Sequence, residues 1–392
     1  MKLKFTLAIL LAVSAVIFFQ KFAGNPSVDV ETGVTGIKNT DEESVSPTSA
    51  SASNADPELQ KRIKLAPGYT ISYFAKDVRG ARSMAISKSG IVFVGTKETG
   101  NVYALVDKNH DGKAEEKITI ASSLNSPNGV AILDGNLYVA EISRIIKFTD
   151  IENTFRNKPK YEVIYDKLPK DAQHGWKYIA FGPDGKLYIP IGAPCNICNI
   201  NDPYGTINRI NPDGSGWETV ARGVRNSVGF AWNPVDSKLW FTDNGRDLMG
   251  DNIPSDELNE IDTLGQHFGY PFCHQGDITD PQYGKNRNCD EFRAPEIKLG
   301  PHVAALGMKF FDNKIYIAEH GSWNRKTPIG YRISTVDINN GKATNYKVFA
   351  EGWLSGNNAW GRPVDIIFTD DKAMLISDDK SGVIYIISKE WR

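Results

Sequence analysis

Six short segments of this chain each place one polar residue at or just before the start of an apolar run. These residues are of types that could work together in one site: Arg82, Asn128, His174, Arg225, His302 and Arg362. Three guanidinium groups and two imidazoles at equivalent positions would bind an anionic ligand if the six segments converged. The alternative interpretation is a set of polar side chains that line a water-filled channel.

A second chemical signal lies in residues 244–261, NGRDLMGDNIPSDELNEI, where glycines alternate with acidic side chains. Backbone carbonyl oxygens close to carboxylates are the ligands that Ca²⁺ prefers in proteins. This stretch therefore favours a calcium site with Asp256 and Glu257 as candidate ligands. The alternative is that both are solvated turn charges.

Two further segments carry weaker signals. In HGSWNRKTPIGYR, Arg325 and Lys326 are either a pair that binds phosphate or carboxylate or the tip of an exposed charged hairpin. Residues 107–116, DKNHDGKAEE, copy the first half of a calcium loop, but its twelfth position is Ile118 rather than Glu. The EF-hand pattern therefore fails, and an Asx-rich hairpin turn is favoured.

The elements that must position these residues repeat six times as apolar strand, tight Asp/Gly/Asn turn, apolar strand. Anchored on the second strand, the copies fall at Ile91, Leu137, Leu187, Leu239, Ile315 and Met374. Such a period indicates stacked units that cannot bury their faces alone. Five units contain four strands. The sixth lacks its last strand, which the segment YTISYFAKDV (residues 69–78) can supply from the start of the chain.

The sequence therefore predicts an all-β fold over residues 65–392: a six-bladed β-propeller of four-stranded antiparallel blades, closed by an N-terminal strand that completes the last blade. Closure of this kind leaves no exposed sheet edge. A two-sheet sandwich or a solenoid would not explain an unpaired first strand together with an incomplete last blade. Segments that enter the innermost strands converge on the central channel, so the six polar residues should meet there. An insertion at about 265–295 is predicted to form a structured rim.

Composition excludes some partners. A net charge of −2 with 23% charged residues provides no basic surface for nucleic acid. The four cysteines suit an oxidising compartment, and two local disulfides are favoured, Cys195–Cys198 and Cys273–Cys289. A zinc site would need a second CxxC motif, and a thioredoxin-like role would need a βαβ setting.

The N-terminus indicates export. Residues 1–23 contain two lysines and then an uncharged apolar run, which is typical of a signal peptide or a retained N-terminal anchor. Residues 24–60 are rich in Ser, Thr and Asp and predict a disordered linker. We expect the body of the protein in the periplasm or cell envelope, with membrane attachment, where it exists, through the N-terminal segment alone.

Four motifs resemble those of the soluble quinoprotein sugar dehydrogenases, the glucose/sorbosone dehydrogenase family that uses pyrroloquinoline quinone (PQQ). They are His174 with FGPDGKLYIPIG, GVRNSVGFAWNP, DELNEI followed by GQHFGYP, and GRPVDIIF. The resemblance covers about residues 65–390. The segments CNIC, PNGVA and HGSWNR are closer to the L-sorbosone dehydrogenase branch than to the glucose branch.

The resemblance implies a role for each matching residue. His174 would be the general base that takes the proton of the substrate hydroxyl, and Arg225 would hold the quinone oxygen. Backbone carbonyls of Gly245 and Arg246 would bind a Ca²⁺ that also contacts PQQ. The residues that would bind the rest of the cofactor and its three carboxylates are Asn128, Arg325, Lys326 and Arg362.

The chain departs from the glucose enzymes at three positions. Ala193 stands where they place an Asp that orients the base, Pro127 replaces a Gln, and Pro363 replaces the second of two arginines. Another acid, such as Asp171, could take over the orienting role. These departures argue against glucose as the preferred substrate.

The resulting hypothesis is a PQQ- and calcium-dependent dehydrogenase. It would oxidise a small sugar, an aldose, pyranose or sorbosone-like aldehyde, by hydride transfer to the quinone and pass electrons to an external acceptor. Two alternatives remain open. One is a metal-dependent six-bladed lactonase, and the other is a non-catalytic exported propeller that binds glycan or protein.

Overall fold

The computed structural model describes residues 55–390. The predicted signal peptide or anchor and most of the predicted linker lie outside the described residues. The described chain begins with helix α1 (Pro57–Arg62), whose first turn is capped by the Asp56 side chain, which accepts hydrogen bonds from the backbone N–H groups of Glu58 and Leu59 at 3.0 Å. Two strands follow, β1 (Lys64–Leu65) and β2 (Tyr69–Ala75).

Six antiparallel sheets, here called blades 1 to 6, come next, and the first three are regular. Blade 1 contains β3 (Ala81–Ile86), β4 (Val92–Thr96), β5 (Val102–Val106) and β6 (Glu116–Ala121). Blade 2 contains β7 (Gly129–Leu133), β8 (Asn136–Ala140), β9 (Ile145–Phe148), a short helix α2 (Ile151–Thr154) continued by a 3₁₀ turn (Phe155–Asn157), and β10 (Tyr161–Tyr165). Blade 3 contains β11 (Ala180–Phe181), β12 (Leu187–Ile191), β13 (Thr206–Ile210) and β14 (Glu218–Arg222).

The remaining blades carry the additions. Blade 4 contains β15 (Phe230–Trp232), β16 (Leu239–Asp243), β17 (Ser255–Glu260), then the insertion with β18 (Gln266–His267), β19 (Cys273–His274), β20 (Ile278–Thr279) and a 3₁₀ turn (Cys289–Glu291), and finally β21 (Ile297–Pro301). Blade 5 contains β22 (Ala305–Phe311), β23 (Lys314–Glu319), β24 (Arg332–Asn339) and β25 (Lys342–Glu351), followed by a small hairpin of β26 (Leu354–Ser355) and β27 (Asn358–Ala359). Blade 6 contains β28 (Pro363–Phe368), β29 (Met374–Asp378) and β30 (Val383–Lys389).

The ring closes between the two ends of the described chain. Strand β2 pairs antiparallel with β30, with Tyr69 opposite Lys389 and Ala75 opposite Ile384, and so becomes the fourth strand of blade 6. Inner strand β28 of blade 6 also contacts inner strand β3 of blade 1. The predicted six-bladed propeller and its closure by an N-terminal strand are confirmed.

The core consists of apolar layers between neighbouring blades. Strands β4, β8, β12 and β16 are buried almost throughout, because each presents both faces to an adjacent blade. Between blades 1 and 2, for example, Phe93 packs with Val139 and Phe148. Burying one such side chain contributes about 1.5–3 kcal/mol. These layers hold the inner ends of the blades in place around the channel.

Both predicted disulfides are present, Cys195–Cys198 in blade 3 and Cys273–Cys289 across the insertion. The insertion is folded onto the propeller, since β18 pairs with the outer strand β14 of blade 3. Within residues 55–390, none of the helices has the length and apolar content required to cross a bilayer.

Candidate active site

His174 is the centre of the candidate site and precedes inner strand β11. Its ring Nδ1 lies 2.7 Å from the carbonyl oxygen of Ala193. A carbonyl can only accept, so Nδ1 carries the proton and Nε2 keeps its lone pair. Burial, with a smaller contribution from the Arg225 cation, lowers the pKa of His174 to about 4, and the hydrogen bond that Nδ1 donates to the Ala193 carbonyl opposes this shift. At neutral pH the imidazole is therefore uncharged and able to accept a proton.

Residue 193, where an orienting acid was expected, still orients His174, but through its backbone. Ala193 has no carboxylate, but its own backbone carbonyl takes the role that the side chain was expected to have. Asp171 does not replace it, because its carboxylate accepts a hydrogen bond from the Tyr204 hydroxyl instead. The residue before Ala193 has to be glycine, since a Cβ on residue 192 would lie 2.6 Å from the Cβ of His174.

Arg225 lies beside this segment, with a side chain that is 4% exposed. Its Nε donates to the carbonyl oxygen of Asn196 at 2.9 Å and its Nη1 to the carbonyl oxygen of Asn244 at 3.0 Å. Its Nη2 donates to Asn196 Oδ1 and to Asp247 Oδ2, both at 2.9 Å. A guanidinium has five N–H groups, so one N–H on Nη1 is left without a partner among residues 55–390.

A second cluster of charges surrounds Arg82, which is the second residue of inner strand β3 and is buried. Its Nε donates to Asn128 Oδ1 at 2.7 Å, and its Nη1 lies 3.0 Å from the carboxylate of Asp379. His320 Nε2 contacts the same carboxylate at 2.8 Å. Burial would raise the pKa of Asp379, but His320 and Arg82 outweigh it and hold that pKa well below its usual range. Asp379 is therefore ionised and neutralises Arg82.

Arg362 lies on the other side of His320. Its Nε and Nη2 donate to the carbonyl oxygens of His320 and Gly321 at 2.9 and 2.6 Å. Burial lowers the pKa of Arg362, and Nη1 makes no hydrogen bond within the described part of the chain. Because residues 320–324 also reach Asp247 through Asn324 Nδ2, at 2.8 Å, this loop connects the Arg82 cluster with the Arg225 cluster.

Not all of the predicted cofactor-binding residues meet at His174. Arg325 donates to the carbonyl oxygens of Asp251 and Thr327, and Lys326 is exposed. Both follow Asn324 in the connecting loop. His302 binds the carbonyl oxygen of Gly250 at 2.9 Å through Nε2. Within the described residues, these three bind residues 250–251 and Thr327 rather than His174.

The predicted calcium segment contains two free carbonyl oxygens. Those of Gly245 and Arg246 accept no hydrogen bond from the described residues. Asp256 is buried behind them and accepts the backbone N–H groups of Gly245 and Ala304, both at 2.7 Å. Burial raises its pKa to about 7. Asp256 therefore orients the Gly245 peptide through this hydrogen bond, and the bond does not require a bound ion.

Glu257 is buried next to Asp256 and accepts the backbone N–H of Gln275 at 2.7 Å. Burial, together with the nearby Asp243 carboxylate, raises the pKa of Glu257 to about 8. Burial also raises the pKa of Asp243 to about 6. Each oxygen of these three carboxyl groups already accepts an N–H group, so among these residues the carbonyl oxygens of Gly245 and Arg246 are the atoms available to a hard cation.

Sequence reasoning missed four polar residues that connect the site: Asn196, Asp247, His320 and Asp379. Asn196 was visible only as a spacer between two cysteines, and Asp379 follows its strand without any motif. His320 and Asp247 lie within segments already selected for other residues. Nothing in their sequence surroundings indicates that they pair with residues 22 to 297 positions away.

The comparisons with known proteins agree with this architecture. A family described as TrAA12-like matches residues 209–390. An uncharacterised protein of Borreliella burgdorferi is 33% identical over 370 residues, which cover 86% of this chain and 93% of that protein. A PQQ-dependent pyranose dehydrogenase of Coprinopsis cinerea is 30% identical over 118 residues, which cover 24% of this chain but only 16% of that protein.

Solved structures establish the fold. The calcium structure of a Trichoderma reesei carbohydrate-active enzyme of family AA12 superposes with a TM-score of 0.75 at 20% identity, covering 84% of this chain and 97% of that chain. The holo form of the pyranose dehydrogenase PQQ domain from Coprinopsis cinerea gives a TM-score of 0.74 at 18% identity, covering 83% and 97%.

Proposed function

This chain belongs to the TrAA12-like family, and we propose that it is a quinoprotein dehydrogenase that oxidises a small sugar with PQQ and calcium. The observation that carries this proposal is the state of His174. Its Nδ1–H is fixed by Ala193, its Nε2 has no partner among residues 55–390, and the buried cation of Arg225 lies close enough to lower its pKa. This is a neutral base next to a fixed positive charge.

The residues present fit the cofactor. PQQ carries three carboxylates and, when bound, supplies a quinone carbonyl carbon that accepts a hydride. The free N–H on Arg225 Nη1 would hold the quinone oxygen, and Arg362 Nη1 would bind a carboxylate. Exposed Lys326, with Arg325, would balance the remaining charge, and Asn128 would contribute through its link to Arg82.

Calcium fits the segment after β16. The carbonyl oxygens of Gly245 and Arg246 would bind the ion, and its charge would favour the ionised forms of the buried carboxyl groups of Asp256 and Glu257 behind them. The structure of the same fold from Trichoderma reesei is a calcium structure, which supports calcium as the ion. In this role calcium would act as a Lewis acid on the bound cofactor.

The side chains would divide the work as follows. His174 Nε2 would accept the proton of the substrate hydroxyl as the adjacent C–H bond breaks, and the hydride from that bond would go to the quinone carbon that the bound cofactor supplies. Arg225 would stabilise the negative charge that develops on the oxygen it holds. An external acceptor would take up the two electrons. We propose a pyranose, another aldose or a sorbosone-like aldehyde as the substrate class, and an exported location, which the two disulfides support.

Reconstitution tests this function. The purified chain is loaded with PQQ and Ca²⁺, and sugar-dependent dye reduction is followed across a panel of aldoses, pyranoses and L-sorbosone. We expect activity that requires PQQ and falls when Ca²⁺ is chelated. His110→Ala, which changes an exposed histidine in the β5–β6 turn, is the matched control for His174→Ala and should retain full activity.

Several outcomes would overturn the proposal. The absence of both dye reduction and any absorbance change on adding PQQ would remove the quinoprotein assignment. Hydrolysis of a lactone without PQQ would favour the lactonase alternative. Glycan binding that is indifferent to His174→Ala and Arg225→Ala would favour the non-catalytic propeller.

A further inference from the structure

One short segment contacts both His174 and Arg225. Residues 193–198, here called the strap, follow strand β12 in blade 3. The Ala193 carbonyl oxygen accepts from His174 Nδ1 at 2.7 Å, and the Ala193 N–H donates to the carbonyl oxygen of Arg225 at 2.8 Å. Three residues later, Asn196 accepts from Arg225 twice, at its carbonyl oxygen and at Oδ1, both at 2.9 Å.

The Asn196 side chain also binds Asp247 through both its oxygen and its nitrogen. Oδ1 also accepts the backbone N–H of Asp247 at 2.9 Å, and Nδ2 donates to the Asp247 carbonyl oxygen at 3.0 Å. Asp247 in turn pairs with Arg225 Nη2 through its carboxylate. Asn196 thus closes a ring of three residues in which Arg225 is held at two of its three nitrogen atoms.

The strap is itself constrained on both sides of Asn196. Cys195 and Cys198 form a disulfide, so the backbone turn that presents Asn196 cannot open without breaking a covalent bond. The Tyr270 hydroxyl contacts Cys195 Sγ at 3.3 Å and accepts the N–H of Cys198 at 3.1 Å. Tyr270 belongs to the blade 4 insertion, which the disulfide Cys273–Cys289 cross-links.

We propose that Asn196 is a positioning residue for Arg225, and that the Cys195–Cys198 disulfide and Tyr270 hold it in place. The inference rests on the proposed function for its catalytic consequence, but not for its geometry. The CxxC pair has a structural role in this arrangement: it fixes the distance between the base and the cation by fixing the segment that binds both. Misplacing a catalytic group by about 1 Å costs on the order of 10² in rate.

Three variants test the role of Asn196. Asn196→Ala removes the Oδ1 acceptor and should lower kcat by roughly 10²-fold, with a smaller change in KM. Asn196→Asp keeps an oxygen for Arg225 Nη2 and should recover most of the lost kcat. Asn199→Ala is the matched control, since Asn199 lies in the same loop, is exposed and makes no hydrogen bond to Arg225. It should leave kcat unchanged.

A second readout does not depend on the loaded enzyme. The imidazole of His174 is titrated by NMR in the cofactor-free protein. Arg225 is one of the groups that lowers the pKa of His174, so releasing Arg225 in Asn196→Ala should raise that pKa, whereas Asn199→Ala should not change it. If the wild type reduces no dye with PQQ, the proposed function fails while this titration still tests the positioning.

The supports of Asn196 are tested separately. Cys195→Ser with Cys198→Ser should reduce kcat and shift the His174 titration in the same direction as Asn196→Ala. Tyr270→Phe should have a smaller effect of the same sign. Thiol reductants are avoided because they would also reduce the quinone. Equal kcat for Asn196→Ala and Asn199→Ala, an unmoved His174 titration, or no recovery by Asn196→Asp would each overturn the proposal.

Discussion

Two histidines in this propeller are each held by one oxygen, and the two oxygens differ in kind. His174 contacts the carbonyl oxygen of Ala193, whereas His320 contacts the carboxylate of Asp379. Burial lowers the pKa of both imidazoles to about 4. Of these two histidines, only His320 has an acid partner, and that acid also pairs with the buried cation of Arg82.

The difference separates two functions that a catalytic carboxylate normally combines. A carboxylate both orients an imidazole and stabilises its protonated form, whereas a carbonyl only orients it. His320 therefore belongs to an ionic network whose charges already balance. His174 has a fixed tautomer without an adjacent negative charge, which makes it a weak, neutral base over a wide range of pH.

The largest expected effect comes from removing each histidine in turn. His174→Ala should lower kcat by about 10³-fold, within the range for loss of a general base, with little change in thermal stability. His320→Ala should act mainly on stability, since Asp379 keeps Arg82 but loses one donor. Steady-state kinetics and thermal unfolding of both variants check this. A larger loss of kcat in His320→Ala would reverse the assignment of the base.

The next effect is steric and acts on His174 alone. Gly192→Ala places a Cβ 2.6 Å from the Cβ of His174, so one of the two residues must move. We expect kcat to fall by about 10²-fold, because the base leaves its position. Gly90→Ala is the control for a general loss of stability: its φ of +81° is unsuited to alanine, which Gly192 does not share, and nothing lies within 4 Å of the added Cβ. It should lose stability and keep its activity.

The pairing of Asp379 with Arg82 and His320 predicts that the stability difference between Asp379→Asn and the wild type depends on pH. Asp379→Asn removes the charge that neutralises Arg82 and should destabilise the fold by about 3 kcal/mol at pH 7. The folded-state pKa of Asp379 is depressed, so its contribution is fully present above the unfolded value of about 3.9 and is lost as pH falls below it. Urea unfolding at pH 7 and pH 3 should therefore show a smaller difference from wild type at the lower pH. An equal difference at both pH values would contradict the pairing.

The smallest expected effect is on the pH profile, and it tests what the Ala193 carbonyl does for His174. With a His174 pKa of about 4, kcat/KM should stay level from pH 7 to about pH 5 and fall only as the imidazole becomes protonated. Ala193→Asp would add a carboxylate that stabilises the imidazolium, so the acid limb of the profile should move to higher pH. Ala193→Asn is the uncharged control of the same size. If both variants shift the limb alike, charge is not the cause.

Much of the fold was predictable because it repeats. The alternation of apolar strand and polar turn recurs six times, and each repeat can bury its faces only against the next one, so the blade count and the closure by residues 69–75 follow from pattern alone. The disulfides were also predictable, because the two short loops leave few pairings. The six channel residues were found by aligning the repeats, which places equivalent positions at the same end of each blade.

The candidate site was predictable only in part. The alignment selected His174 and Arg225, but it could not identify what holds them. The loss of an acid at Ala193 looked like a loss of orientation, because a sequence reports side chains and not the backbone oxygen that replaces one. Asn196 was hidden for a similar reason, since its partner Arg225 lies on the next blade and 29 residues away.

By itself, then, the sequence determined the ring, its closure and the residue types at or just before the innermost strands, because burial periodicity and repeat spacing are local properties of the chain. Only the tertiary structure decided which histidine is paired with an acid, which nitrogen of His174 is free and which segment fixes Arg225. Those properties depend on hydrogen bonds between blades, whose directions are set by backbone geometry that the order of the residues does not encode locally.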